Sequence, residues 1–157
     1  MAHLNWSSDL NTGIDVIDGQ HKQIVDYINR LNTARSNGNR QEIGDIIEGM
    51  IDYTLSHFAF EETLMSDAKY QFLHGHQKIH EIFVNRINRF QERFSAGEEI
   101  TDELHALLCR WLFNHIRSDD AAYVGAVKTS MLKLVEEKHE GGWLSRSLNR
   151  FFGTANA

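Results

Sequence analysis

The sequence predicts an all-α protein: an up-down-up-down four-helix bundle with an irregular N-terminal arm and an extra C-terminal helical extension. Three observations lead there. None of the 157 residues is proline, so no helix interior carries that breaker. Apolar residues recur at spacings of three and four almost throughout. The candidate turns are few and short, which makes successive helices antiparallel neighbours.

Residues 1–17 read as the arm, with Trp6, Leu10, Ile14 and Ile17 as anchors. A first helix is expected over 18–35, with Ile17, His21, Ile24, Ile28 and Leu31 on its seam, ended by Ser36-Asn37-Gly38. Asn39 followed by Glu42 is a capping signal for the second helix. That helix carries Ile43, Ile47, Met50, Thr54, His57, Glu61 and Leu64 on one stripe. A connection near Ser66-Asp67 leads to a third helix with His76, His80, Phe83, Ile87, Phe90 and Phe94, closed by Ser95-Ala96-Gly97. Thr101 or Asp102 opens the fourth, whose stripe is Leu104, Leu108, Trp111 and His115. A further helix is expected from Ser118 to Lys138, with Gly141-Gly142 as a hinge. The unit carrying the bundle is therefore 1–138, and 139–157 an amphipathic extension.

Composition is that of an ordinary globular domain, and 157 residues suffice for one buried core. The formal net charge of −6 makes neither nucleic acid nor an anionic membrane the expected partner. The N-terminal MAHLNWSSDLNTG lacks the pattern of a signal peptide, and no apolar run is long enough to span a bilayer. The lone Cys109 offers no intramolecular disulfide and reads as a small hydrophobe on a buried face. A cytoplasmic protein is expected.

Seven polar residues fall on the apolar seams: His21, His57, Glu61, His76, His80, His115 and Asp120. Burying such groups unpaired costs several kcal/mol, and metal satisfies them most simply. Two irons is the expected arrangement. His76-x-x-x-His80 puts two imidazoles on one helical face, and His57-x-x-x-Glu61 does the same with a carboxylate. Each motif alone is weak. Their conjunction on four helices is strong.

Asp18-Gly-Gln-His21, His57-Phe-Ala-Phe-Glu61-Glu62, His76-Gln-Lys-Ile-His80 and Trp111-Leu-Phe-Asn-His115-Ile-Arg-Ser-Asp-Asp120 together resemble the signature of hemerythrins, over residues 6–125 in order and spacing. The resemblance implies a non-haem di-iron centre that binds molecular oxygen reversibly. It further implies that His76, His80 and His115 complete one iron, and that His21 and His57 hold the second, which keeps an open position. Glu61 and Asp120 would bridge the two with an oxo or hydroxo group. The ligand set differs from the four glutamates and two histidines of ferritin-like di-iron enzymes, so oxygen carriage is expected rather than catalysis. Ile24, Phe58, Trp111, Leu112 and Ile116 would form an apolar oxygen pocket. Asp18 and Tyr123 are candidates to accept the outer N–H of ligating imidazoles, with a helix N-cap as the other reading of Asp18. The remaining histidines, His3, His74, His105 and His139, are expected to face solvent.

The last carboxylate is open to two readings. On an unbroken α-helix Asp119 lies about 40° around from His115 and Asp120 about 140°, which favours Asp119. The resemblance gives Asp120. A helix ending near Arg117, with Ser118 capping the next, would reconcile them and leave Asp119 at a helix terminus. Asp120 is taken as the bridge on that basis.

In the extension, Trp143/Leu144, Ser147/Leu148 and Phe151/Phe152 recur every four residues. Residues 143–152 could fold back on the bundle, dock a partner or a second copy, or touch a membrane surface weakly. The functional expectations are an oxygen carrier or store, an oxygen- or redox-sensing module acting through this tail, or a peroxide- or nitric-oxide-consuming enzyme.

Overall fold

The computed structural model describes residues 3–136. A single 3-10 turn, Ser8–Leu10, precedes five α-helices: α1 Asp15–Asn37, α2 Arg40–Asp67, α3 Leu73–Ser95, α4 Thr101–His115 and α5 Ala121–Glu136. Between α4 and α5 lies one π-helical turn, Ile116–Asp120. His115, Ile116 and Ala121 all keep right-handed helical backbone, so α4, the π turn and α5 form one continuous rod. The separate helix expected to be capped by Ser118 is thus a continuation of the fourth helix. Ser118 is exposed, and no side-chain cap forms there. The bundle is α1, α2, α3 and this rod; α1 packs on α2 and α4, and α2 on α1, α3 and α5.

The connections are short, and their chemistry is visible in the sequence. Gly38 closes α1 at φ +68°, its N–H donating to the Ala34 carbonyl, a left-handed cap that a side chain would strain. The Asn39 side chain accepts from the Glu42 N–H at 3.0 Å and starts α2. The connection from α2 to α3 falls at 68–72, a few residues later than expected, with Lys69 at φ +54°. Helix α1 starts at Asp15, three residues before the expected position. Its fourth residue, Asp18, reaches back into the arm, accepting from the Thr12 N–H at 2.8 Å, the Thr12 hydroxyl at 2.7 Å and the Gly13 N–H at 3.1 Å. Asp18 therefore anchors the arm. It neither supports an imidazole nor occupies the N-cap.

The expected seams are buried in order along α1 and α2, with Leu104 and Leu108 buried on α4. On α3 the burial holds through Ile87, and Phe90 and Phe94 are half-buried. The apolar core divides in two. A large cluster from Leu10 and Ile24 to Ile116 fills most of the bundle. A smaller one, Ile14, Ile17, Phe60, Leu64, Met65, Tyr123 and Val127, closes one end. The seven polar seam residues fall where the two clusters adjoin, Glu61 between Phe58 of the larger and Leu64 of the smaller, and Asp120 between Ile116 and Tyr123. No described helix is long and apolar enough to cross a membrane. His139, Gly141-Gly142 and the 143–152 segment lie outside the described residues.

Candidate metal centre

Every seam residue predicted to be polar and buried is buried. His21 comes from α1, His57 and Glu61 from α2, His76 and His80 from α3, His115 from the end of α4, and Asp120 from the π turn; none exceeds 4% exposure. They form two overlapping groups. Donor atoms of Glu61, His76, His80, His115 and Asp120 lie within 4.8 Å of one another, as do those of His21, His57 and Glu61. Glu61 belongs to both.

The fit to metal can be tested on the donor atoms. His80 Nε2 is 3.1 Å from His76 Nε2 and 3.1 Å from His115 Nε2. Asp120 Oδ1 lies 3.1 Å from His76 Nε2 and 3.0 Å from His115 Nε2, while Oδ2 lies 3.1 Å from His21 Nε2. Glu61 Oε1 is 2.9 Å from His57 Nε2 and 3.7 Å from His80 Nε2. Yet Glu61 Oε1, both Asp120 oxygens and His21 Nε2 are buried without an aligned hydrogen bond. Short separation without alignment is what lone pairs aimed at a shared centre produce. Two donors each about 2.1 Å from one ion at right angles would sit about 3 Å apart. Five imidazoles and two carboxylates suit first-row metal such as iron.

Groups behind the imidazoles set the tautomers. A carboxylate or amide oxygen can only accept, so the ring nitrogen facing it carries the proton. His57 Nδ1 donates to Gln20 Oε1 at 2.6 Å, His115 Nδ1 to Asp119 Oδ2 at 2.9 Å, and His80 Nδ1 faces Glu62 Oε2 at 3.4 Å. Each Nε2 lone pair is thereby freed to point inward. Gln20 and Glu62 had no assigned role from sequence, and Asp119 was expected at a helix terminus. The signal available was their spacing, one residue before a candidate ligand, one after, and four after. Tyr123 supports a carboxylate instead of an imidazole: its hydroxyl donates to Glu61 Oε2 at 2.5 Å.

The π turn resolves the two readings of the aspartates. An i→i+5 pattern, seen in the Ala121 N–H donating to the Ile116 carbonyl, adds about one residue to the turn. The residue five after His115 then faces the same way as His115, and that is Asp120. Asp119 falls to the outer side and meets the other nitrogen of the ring. It is thus a support for His115 rather than the helix-terminus residue expected.

Electrostatics in the metal-free centre are strongly coupled. Burial alone would lower the His115 pKa, but the Asp120 and Asp119 carboxylates outweigh it and push the imidazole up to about 10. Burial would raise the Asp120 carboxyl, and the facing histidines, His115 foremost, instead hold it well below the ordinary range. Glu61 is also held down, despite burial and the neighbouring Asp120, mainly by His57. Burial and then the Glu61 and Asp120 charges keep the Tyr123 phenol protonated.

Beside the centre is an apolar cavity of about 20 Å³, room for roughly one water-sized molecule. His21, His57 and His115 contribute to its wall, with Ile24, Phe58, Trp111 and Leu112 as expected. Ile116 is buried but lies outside it, bordering a separate depression beside Asp9 and Thr12. The cavity continues past the expected residues to Ile28, Met50, Thr54 and Ile87, one or two turns farther along the same stripes. Phe58 stacks on His80 with centroids 3.7 Å apart, and Trp111 on His115 at 4.3 Å.

Of the histidines outside the centre, His3 and His74 are exposed as expected. His105 is not: it is 1% exposed, with its ring 3.6 Å from the half-buried Cys109 sulfur. Packing of α1 against α4 covers it, and burial together with the Arg35 charge holds its pKa below the ordinary imidazole value.

Residues 12–127 match the family profile of the hemerythrin HHE cation-binding domain. A bacteriohemerythrin of Pseudomonas aeruginosa (strain LESB58) is 61% identical over 98% of this chain and 100% of that protein. One from Stenotrophomonas maltophilia (strain R551-3) is 50% identical over the same shares. The crystal structure of a wild-type hemerythrin superposes with a TM-score of 0.77 at 33% identity, covering 80% of this chain and 98% of that one. With a fitting centre, a matching fold and relatives along nearly its whole length, this chain belongs to the hemerythrin family, di-iron proteins that bind oxygen.

Proposed function

We propose that the protein binds molecular oxygen reversibly and serves as an oxygen carrier or store, acting in the cytoplasm. The observation that carries this reading is the one-molecule apolar cavity whose wall includes His21 and His57. In the proposed assignment His76, His80 and His115 hold one iron. His21 and His57, which line the cavity, would hold the other with fewer protein ligands. Glu61 and Asp120 would be shared between the two. Supporting the bridging roles, Glu61 belongs to both donor groups, and the two Asp120 oxygens face histidines of different groups. When bound, the iron pair supplies the electrons that oxygen binding requires. The chain does the rest. Gln20, Asp119 and Glu62 fix ring orientation, Tyr123 holds Glu61 through a proton on its own oxygen, and Ile24, Phe58, Trp111 and Leu112 exclude water. Residues 1–138 would carry this activity, with 139–157 as an appended segment.

The test is anaerobic loading with ferrous iron followed by optical spectra through repeated addition and removal of oxygen. Carriage requires the oxygenated spectrum to form and disappear over several cycles without consumption of oxygen. Irreversible bleaching on first exposure, or continuous oxygen uptake, would assign the protein to sensing or to catalysis.

A further inference from the structure

On the outer side of His115 the surface opens into a groove between α3 and α4. Its lining includes Arg86 from α3, Arg110, Trp111, Asn114 and His115 from α4, and Asp119 from the π turn. Three features coincide there. First, His115 lines both this groove and the apolar cavity, so a ring proposed to ligate iron forms part of the groove's floor. Second, Trp111 also lines both, stacked on His115 at 4.3 Å and 15°, and Phe83 stacks on Trp111 at 3.7 Å and 13°. The half-buried Trp111 therefore sets one π-system between the groove and His115, with the buried Phe83 on its other face. Third, the two arginines are exposed, and neither has a carboxylate partner among the described residues. The acid in the groove's lining, Asp119, is engaged by His115. The chain as a whole carries a formal charge of −6, so two free guanidiniums flanking this floor stand against the overall field.

We propose that this groove is an electron-entry port, a docking surface for an acidic one-electron carrier protein that restores the ferrous state of the centre. The inference rests on the di-iron reading above. Oxygen binding needs ferrous iron, and a centre left ferric is silent until each iron regains one electron. Two encounters balance the reaction: each oxidises one carrier molecule by one electron and reduces one iron. No bond of the chain forms or breaks. A ligand imidazole at the floor shortens the path that a surrounding layer of helix would otherwise lengthen. Free arginines present planar, forked donors to carboxylates and accelerate encounter with an acidic partner. Orientation then falls to Asn114 and the Trp111 edge.

The experiment uses the iron-loaded, oxidised full chain, mixed by stopped flow with reduced plant-type [2Fe–2S] ferredoxin as probe at low and high salt. The wild type should be reduced quickly at low salt and much more slowly at high salt. Arg86→Glu with Arg110→Glu should slow reduction about tenfold or more at low salt and remove the salt dependence. Iron content, the oxygenated spectrum and reduction by a small uncharged photoreduced deazaflavin should stay unchanged. Lys22→Glu with Arg30→Glu, exposed on α1, makes the same charge change away from the groove and should cost less than about threefold. If the reversals fold poorly, Arg86→Gln with Arg110→Gln should act in the same direction, about threefold or more. Equal slowing by the α1 control, unchanged rates in the groove variants, or slowing shared with deazaflavin would each overturn the port. Inhibition by millimolar phosphate at constant ionic strength would assign the groove to a small anion and overturn it too. A wild-type chain that takes up no iron would instead refute the di-iron reading itself.

Discussion

The Asp119 carboxylate accepts from His115 Nδ1 at 2.9 Å, on the ring edge opposite the one that faces Asp120 Oδ1 at 3.0 Å. Adjacent residues thus hold one imidazole from both sides, and only the π turn lets them. Asp120→Ala should abolish two-iron binding. Asp119→Ala should keep both irons but weaken retention about 10- to 100-fold, as loss of a ligand's hydrogen-bond partner typically does. Iron content after graded chelator challenge separates the two variants. Loss of both irons from Asp119→Ala alone would reverse the roles.

The same pair makes the metal-free chain sensitive to pH. The His115 pKa is raised to about 10 by the aspartates, so its contribution to stability is complete below the unfolded value near 6.5. That contribution is lost as pH rises toward 10. The Asp120 carboxyl is held well below its ordinary range, so its contribution is present above about 4 and lost in acid. Metal-free protein should therefore melt about 5 °C or more lower at pH 10 than at pH 6. Iron binding runs the other way below neutrality, because protons compete for the imidazoles. Thermal melts of the chelator-treated chain at pH 6, 8 and 10 check the first statement. Iron affinity at pH 7 and pH 5 checks the second, and unchanged affinity at pH 5 would count against a five-histidine site.

Tyr123 is fully buried and donates to Glu61 Oε2 at 2.5 Å. Tyr123→Phe removes that donor and leaves a buried carboxylate oxygen short of a partner. The expected cost is about 1–3 kcal/mol of stability in the metal-free chain. Both irons should remain, with a shifted charge-transfer spectrum. Denaturant unfolding and the spectrum of the loaded protein read the two effects separately.

Three histidines distinguish ligation from packing. His76→Ala should lose iron. His74→Ala, at an exposed position, should match wild type in iron content and in melting. His105→Ala should keep both irons yet lower stability by about 1–3 kcal/mol, since it empties a buried site. Equal loss of iron from His74→Ala and His76→Ala would mean the wrong face of α3 had been assigned.

Much of this was legible because one signal, the 3.6-residue apolar period, carries both the core and its polar exceptions. His21 between Ile17 and Ile24, or His57 between Thr54 and Glu61, announces itself as a buried polar group on a seam. What the period could not carry was a change in the period. No proline or glycine marks the π turn, so a fixed 100° step favoured Asp119 where the structure turns Asp120 inward. Ile116, the first residue of that turn, missed the cavity because it sits one helical step round from His115. Burial of His105 depends on α1 and α4 meeting, a contact remote in sequence. The early start of α1 has a comparable cause, since Asp18 clamps Thr12 and Gly13 of the arm. Both are properties of assembled helices, and neither is written into a single stripe.

The central claim is that Glu61 and Asp120 are shared by two metals inside one bundle. Its most direct test is anaerobic titration of the full chain with ferrous iron, followed by oxidation and magnetic measurement of the product. The account predicts a break at two irons per chain and a strongly coupled ferric pair with little net magnetism. A break at one iron, or two irons with the magnetism of isolated high-spin ferric ions, would contradict it.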